Sequence, residues 1–469
     1  MRAMRLTARL LRAWILLAVI FCSYMLQFAL VRLFGRVQQG KDGVRELGRP
    51  QWLTERRKRT DERNAVRLLG GILRLRGVYI KLGQVLSILG GFMPAAYLRR
   101  LETLQDKVPA RPFSEVRTVL VRSLRRPPEE CFASIEAEPI AAASLGQVHA
   151  ARLPDGTHVA VKILYPRIRE TIRLDMKVVK LALAIYKRFM PVGNIEVVHR
   201  SLVDLLRRET DYLHEAECMR RIRDNFVAVP DVFTPEVIDA LTSREVLTMT
   251  FMRGIKITHI DEMRAAGIDP DAVATRLVQS FYKQLFVDRY FHADPHPGNF
   301  LVRAGPSPSR PELVLLDFGT VTIARDNLID GMLEQLQGFF AQDGARVLHG
   351  FERMGFVAAE GNRELLEETV MLYFRRLLQV KHRTPGAVMR ADQERLRNLA
   401  NPRLEFEQLR ELARAFVYPE GWFYIERSLV MLFWLVGQIA PDVDMLQVGF
   451  PYVVELLSKQ ARVGQHSAG

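Results

Sequence analysis

Hydrophobic and polar positions follow three rhythms along this chain. Over residues 14–31 there is almost no alternation, with only Ser23, Tyr24 and Gln27 interrupting an apolar run. Wound as a helix, the run is about 27 Å long, close to the ~30 Å of bilayer hydrocarbon. Over residues 61–89 apolar positions recur at helical spacing, Asp61 is placed to cap the first turn, and Gly90-Gly91 closes the stretch. A second helix is predicted from Pro94 to Gln105, after which Pro109, Pro112 and Pro127-Pro128 punctuate a linker region with further helix. Beyond Ile140 the period drops to two. Residues 147–153 and 158–164, separated by Pro154-Asp155-Gly156, predict a β-hairpin. Helical patterns return over 168–190 and 196–224, and a strand is predicted over 245–252. From Asp261 onward the chain reads as helix, apart from short strands flanking residues 296–318. Gly305-Pro306-Ser307-Pro308-Ser309 reads as a loop between two of those strands. The class is therefore α+β, with a β-rich lobe and a helical lobe joined at about 250–256.

Charge changes this picture only at one end. The chain has 469 residues and a net charge of +14, which would suit a nucleic-acid binder if it were spread over a groove-facing surface. Residues 1–60 hold 13 Lys and Arg against 3 Asp and Glu, so +10 flanks the apolar run and +4 remains for the other 409 residues. An anionic membrane surface is the better partner, and no nucleic acid is expected. Arg2, Arg5, Arg9 and Arg12 precede the run while Arg32, Arg36, Lys41, Arg45 and Arg49 follow it, which gives no clean orientation. A single span is the leading expectation, ahead of a shallow interfacial helix and a buried core helix. The last apolar stretch, residues 429–436, is too short to span. Cys22, Cys131 and Cys218 are isolated and have no metal-ligand spacing, which suits a reducing compartment.

Candidate chemistry clusters in the second half. His292-Ala293-Asp294-Pro295-His296-Pro297-Gly298-Asn299 is followed by Asp317-Phe318-Gly319. Phosphoryl transfer needs a carboxylate beside the attacking oxygen and hard oxygen ligands on magnesium. Asp294 fits the first role, Asn299 and Asp317 the second, and the five-residue spacing of Asp294 and Asn299 is that of a kinase catalytic loop. A transition-metal site on His292 and His296 is disfavoured, because Pro295 and Pro297 preclude the helical turn that would align them. Upstream, Val159-Ala160-Val161-Lys162 places a lysine on a strand, in the order expected of a phosphate-binding lysine. Asp211 and Glu215, four apart on a predicted helix, share a face, whereas Glu209 and Asp211 point differently. Where a glycine-rich loop is expected, the chain has Ala141-Ala142-Ala143-Ser144-Leu145-Gly146-Gln147-Val148, whose Cβ atoms limit approach of backbone amides to phosphate.

These motifs, in this order, resemble the UbiB family (AarF-type) of atypical protein-kinase-like proteins, associated with ubiquinone and related isoprenoid-lipid metabolism. The resemblance covers about residues 75–320. It rests on Lys81-Leu82-Gly83-Gln84, Leu104-Gln105-Asp106 with Pro109, the Ala-rich loop through His149, Lys162, Glu209-x-Asp211 with Glu215, the Asp294/Asn299 loop and Asp317-Phe318-Gly319. It implies a bilobal protein-kinase-like fold with an N-terminal helical extension and an N-terminal membrane helix. The implied divisions are 1–40 anchor, 41–130 extension, 131–254 N-lobe and 255–469 C-lobe. It further implies that ATP is bound by Ala141, Ala142, Ala143, Ser144, Gly146, Gln147, Val148, Lys162 and Glu215, with Lys162 paired to Glu215. Lys81, Gly83 and Gln84 would form a regulatory extension over the nucleotide pocket, linked through Glu209 and Asp211. In this family that extension occupies ground where a protein substrate would dock.

The implied activity is magnesium-dependent ATP binding with hydrolysis or phosphoryl transfer, in support of ubiquinone or related isoprenoid-lipid biosynthesis. The implied setting is the bacterial inner membrane, with the kinase domain on the cytoplasmic side. An isoprenoid lipid or quinone precursor and lipid-biosynthesis enzymes are the implied partners. Two alternatives compete: an ATP-gated lipid-binding scaffold, and a small-molecule phosphotransferase. Two departures from the family stand out. The hinge strand ends Leu247-Thr248-Met249-Thr250 where an acidic residue is usual, and the apolar run is N-terminal where bacterial relatives usually attach through the C-terminus.

Overall fold

A computed structural model describes residues 2–34, 36–39, 45–48, 50–75, 77–88, 95–101, 110–189, 195–357, 417 and 419–466. By packing, the chain divides into two units. One takes residues 1–119, 137–148 and 163–186, and the other takes 120–136, 149–162 and 187–469. This division does not follow the boundaries after residues 40, 130 and 254 drawn from sequence.

In the first unit, helix α1 (Arg2–Phe34) contains the whole apolar run. A short hairpin, β1 (Arg36–Gln39) and β2 (Arg45–Gly48), returns the chain to α2 (Gln51–Leu75). Helix α2 begins ten residues before the predicted start. Leu53 and Thr54 donate their amides to the Pro50 carbonyl, and Arg56-Arg57-Lys58-Arg59 are good helix formers that extend the helix through Asp61. Asp61 is thus no cap: it is buried in the helix and accepts the Tyr24 hydroxyl at 2.6 Å. The two other polar interruptions of α1 are also turned onto α2. Asn64 donates to Ser23 Oγ at 2.6 Å, and Gln27 Nε2 donates to the Leu53 carbonyl at 3.1 Å. Around these bonds pack Ala13, Ala65, Ile72 and Leu75.

Gly77, at φ +59°, ends this stretch in a left-handed turn that disfavours a side chain. The predicted helix over 61–89 is therefore two, the second being α3 (Val78–Ile88). Helix α4 (Ala95–Leu101) covers part of the next prediction. Gly90-Gly91, Pro94, Leu104-Gln105-Asp106 and Pro109 lie outside the described residues. Helices α5 (Phe113–Leu124) and α6 (Pro128–Cys131) follow. Helix α7 (Ile168–Phe189), which matches its prediction, supplies the fully buried Asp175. Arg9 grips that carboxylate through Nε at 3.0 Å and Nη2 at 2.6 Å.

The β-rich lobe follows the predicted hairpin closely. Strands β3 (Ser134–Ile135), β4 (Ala141–Ala142), β5 (Gly146–Arg152), β6 (His158–Leu164) and, after the two-residue β7 (Val232–Phe233), β8 (Val246–Thr250) form a sheet ordered β3-β5-β6-β8, with β4 on β5. Gly156, at φ +87°, turns β5 into β6, and Asp155 Oδ1 accepts the Thr157 amide.

In the second unit the predicted helix over 196–224 breaks. Helix α8 (Ile195–Arg208) stops, residues 209–211 are non-helical, and α9 (Tyr212–Phe226) starts anew from an extended Asp211. After β9 (Ile255–Lys256) come α10 (Ile260–Ala265), α11 (Pro270–Tyr282) and a π-helical turn over Lys283–Val287. Then β10 (Tyr290–His292) pairs with β13 (Val321–Ile323), while β11 (Phe300–Ser307) and β12 (Arg310–Leu315) pair in the sheet β7-β12-β11-β9. The predicted loop 305–309 is mostly strand. Gly305 permits this, since a Cβ there would lie 1.9 Å from the Arg310 carbonyl oxygen. Helices α12 (Asp326–Ala341) and α13 (Gly344–Met354) follow. The helix Trp422–Ile439, containing the short apolar stretch, is largely buried as a core helix, and Met445–His466 closes the described chain.

Candidate active site

Lys162 is buried on β6, and its ammonium lies in the interior. There it meets two carboxylates, forming an ion pair with Glu215 on α9 and a 2.7 Å bond to Asp317 Oδ2. Burial works against the ammonium, but Asp317 and then Glu215 outweigh it and hold the Lys162 pKa above its usual value. Burial also pushes Glu215 up to about 7, despite Lys162. Asp317, though penalised by burial, is held below the usual carboxylate range by Lys162. Asp317 is thus the stronger anion of the two.

Glu215 also accepts the Phe318 amide at 3.3 Å, and Phe318 is fully buried. Gly319 donates to Asp317 Oδ1 at 3.0 Å, and a Cβ at Gly319 would come 3.8 Å from the Glu209 Cα. The break at 209–211 therefore brings the backbone of Glu209 against the Asp317-Phe318-Gly319 turn. Asp211 instead pairs with Arg244 at 3.4 Å. Glu209 and Asp211 therefore diverge at a break in the chain and do not share one continuous helix.

The catalytic-loop residues are set by β10 and β11. Asn299 precedes β11, and Leu316 donates its amide to the Asn299 carbonyl at 2.9 Å, so the β11–β12 register holds Asn299 next to Asp317 in space. The Asn299 side-chain amide donates to the Asp294 carbonyl at 3.0 Å, leaving Oδ1 as the atom that can ligate a cation. His292 joins the two loops: its Nδ1 accepts the Asp294 amide at 3.1 Å, so Nε2 carries the proton and donates to the Asp317 carbonyl at 2.6 Å. Both imidazole nitrogens are used, which leaves none for a metal. Among the described residues there is no cluster of three or more His, Cys, Asp or Glu suited to an ion. Asn299 and Asp317 instead suit magnesium, which relies on few protein oxygens and completes its shell with phosphates and water.

Burial lowers the His292 pKa from its usual 6.5. Protonation would also set an N–H against the Asp294 amide donor. A depressed folded pKa means that the stability His292 contributes is complete above about 6.5 and is lost as pH falls below it. The stability advantage of the native chain over His292→Asn, whose neutral amide keeps a donor and an acceptor, is therefore expected to shrink on acidification. The slope is at most about 1.4 kcal/mol per pH unit. Denaturant melts of both proteins would show it, and a constant difference between about pH 7.5 and 5 would remove His292 from this role.

Sequence reasoning missed Arg427. This side chain, 2% exposed on helix Trp422–Ile439, places Nη2 2.8 Å from Asp294 Oδ2. Its Nε and Nη1 are buried without a hydrogen-bond partner among the described residues. The available signal was an arginine within the apolar sequence 422–439, since such a charge is rarely buried unpaired. The same helix is braced from α8: Arg208 lies 5.8 Å over the Tyr424 ring and donates to the Val321 carbonyl and to Thr322 Oγ1.

The remaining predicted residues lie in the first unit. Ala141 and Ala142 form β4 opposite Val148 and Gln147, Ala143 donates to the Gly146 carbonyl at 2.8 Å, and Ser144 is buried at the tip. The predicted phosphate-covering loop is thus a tight hairpin. The Gln147 amide holds the Arg111 backbone, accepting its N–H at 3.0 Å and donating to its carbonyl at 3.2 Å. Lys81 and Gly83 are buried on α3; Gln84 lies on the same helix, with its side chain outside the described residues.

A lysine-glutamate pair between strand and helix, an Asp-x4-Asn loop and an Asp-Phe-Gly turn together define a kinase-like protein of the α+β class with an apolar N-terminal helix. Residues 103–350 match the model of the ABC1 atypical kinase-like domain, and the chain belongs to that family. An uncharacterised Synechocystis protein is 32% identical over 344 residues, which are 72% of this chain and 57% of that protein. A probable protein kinase UbiB of Marinobacter nauticus is 33% identical over 63% of this chain and 54% of its own length. The Drosophila melanogaster AarF domain-containing kinase 1 is 34% identical over 59% and 54%. The chain thus spans little more than half the length of these relatives. Among solved structures, a Mycobacterium tuberculosis Rv3197–erythromycin complex aligns with TM-score 0.48 and 21% identity, covering 83% of this chain and 98% of that one.

Proposed function

We propose that this chain is a membrane-associated kinase-like enzyme that binds Mg-ATP and hydrolyses it or transfers its phosphoryl group, in support of ubiquinone or related isoprenoid-lipid biosynthesis. The observation that carries the reading is the assembled set of Lys162, Glu215, Asp294, Asn299 and Asp317. Lys162, released from Asp317 Oδ2, would bind the nucleotide phosphates while Glu215 keeps it in place. Asn299 Oδ1 and Asp317 would hold magnesium, which when bound neutralises charge building on the phosphates. Asp294 would orient the acceptor hydroxyl or water. The names of the UbiB and AarF relatives support the pathway and membrane setting, as does the apolar α1 flanked by basic residues. The inner-membrane location with the kinase domain on the cytoplasmic side, and an isoprenoid lipid or quinone precursor and lipid-biosynthesis enzymes as partners, belong to the same proposal.

One observation favours a second reading, an ATP-gated lipid-binding scaffold. Arg427 holds Asp294 in a buried ion pair, which weakens the carboxylate as a proton acceptor and favours slow turnover. Magnesium-dependent ATP turnover by the purified chain, with and without anionic liposomes, separates the two. Turnover that rises with liposomes and drops at least about 100-fold in Asp294→Asn is expected. Nucleotide binding with no turnover dependent on Asp294 would transfer the assignment to the scaffold.

A further inference from the structure

The polarity of α1 is inverted. Its polar side chains Arg9, Ser23, Tyr24 and Gln27 turn inward and bond to α2 or α7, while Arg12 and Arg32, beside the two ends of the apolar run, are exposed. The opposite face carries Leu11, Ile15, Val19, Cys22, Leu26 and Leu33, every one exposed and spaced three, four or seven apart, with Leu33 at 74%. Such a stripe asks for an apolar medium.

The neighbour of α1 decides how that medium is met. Helix α2 runs antiparallel along it, with Leu53 at the Gln27 end and the Leu75 carbonyl bound to Arg9 at the other. The outward side of α2 exposes Arg57, Lys58, Arg59, Arg63 and Arg67. An α1 that crossed a bilayer in this packing would draw Arg57, Lys58, Arg59 and Arg63, which lie alongside its apolar run, into hydrocarbon. Such charges are rarely tolerated at the bilayer centre. Lying flat meets both demands. With the stripe sunk about 5–10 Å below the headgroup boundary, α2 packs roughly 8–10 Å above, level with lipid phosphates. At the α1–α2 corner, half-exposed Phe34 and Trp52 pack edge to face at 5.7 Å, in keeping with the place of aromatics at membrane interfaces.

We infer that α1 and α2 form an in-plane wedge on an anionic bilayer surface, and that α1 does not cross the membrane despite being long and apolar enough to do so. The inference rests on the membrane association proposed above and specifies its form. Charge complementarity chooses the occupant, because the stripe is apolar and the flank is basic.

Cys22 provides the test, being the exposed one of three cysteines, with Cys131 and Cys218 buried. A nitroxide is attached to the full-length protein at Cys22 and, in Cys22→Ser, at Leu11→Cys, Ile15→Cys, Leu26→Cys and Leu33→Cys. These changes lie on the outward face and leave the inward hydrogen bonds untouched. Immersion depth is read from collision with oxygen and with a polar nickel chelate, on vesicles of phosphatidylcholine with and without phosphatidylglycerol. The wedge predicts one shallow depth at all five positions. It also predicts binding that needs phosphatidylglycerol and falls at least about tenfold when Arg57, Lys58, Arg59 and Arg63 become glutamine. A depth that increases from Leu11 to Cys22 and decreases again to Leu33 would mean a crossing helix, overturning the wedge but leaving membrane association intact. Failure to bind either vesicle would overturn both.

Discussion

Replacing Arg427 with methionine is expected to cost the fold about 3–5 kcal/mol, because it takes a cationic partner from the largely buried Asp294 carboxylate. The guanidinium is 2% exposed and the carboxylate 13%, so the pair is largely shielded from solvent. Asp294→Asn alone removes the charge that makes Arg427 tolerable and should also destabilise. Made together, the two changes should cost at least about 1 kcal/mol less than the sum of the single losses. Urea unfolding of the four proteins measures this coupling, and strictly additive losses would show that the contact contributes nothing to stability. The same series reads catalysis, since Arg427→Met leaves the carboxylate a better proton acceptor wherever the protein remains folded.

The second large effect belongs to Asp317. Asp317→Asn should weaken magnesium-dependent nucleotide binding by more than about 100-fold, beyond the range typical for residues that merely orient a metal ligand. Stability should change far less. The substitution leaves Lys162 paired with Glu215 and removes the neighbouring negative charge that helps raise the glutamate. Titration of a fluorescent nucleotide with and without magnesium separates the metal role from the lysine role. An affinity loss of the same size without magnesium would point to a disturbed phosphate pocket and away from metal ligation.

The machinery was legible to the extent that chemistry fixes spacing along the chain. Asp294 and Asn299 share one loop, Asp317 follows the next strand pair, and Lys162 sits on a hairpin announced by Pro154-Asp155-Gly156. The pairing of Lys162 with Glu215 came from family resemblance, because a contact across 53 residues has no local signature. Helix boundaries were read less well. Asp61 carries every mark of a cap, yet the hydroxyl of Tyr24, 37 residues earlier, makes burial inside a longer helix the better arrangement. The interruption at 209–211 escaped notice because Glu209, Thr210 and Asp211 are all compatible with helix, and the proximity of Glu209 to Gly319, far along the chain, has no local signature. The meaning of Ser23, Tyr24 and Gln27 was equally hidden: in sequence they are blemishes in an apolar run, and in the fold they are its attachment points.

Arg427 also bears on how fragments of this protein should be cut. The family match ends at residue 350, and a boundary placed there looks natural from sequence similarity. Such a fragment would contain Lys162, Glu215, Asp294, Asn299 and Asp317, yet would lack the cation that compensates Asp294 and the tyrosine beneath Arg208. Its failure to fold, or an altered pH profile, would say nothing about the catalytic set it retains. The smallest piece in which the chemistry can be judged must reach past Ile439.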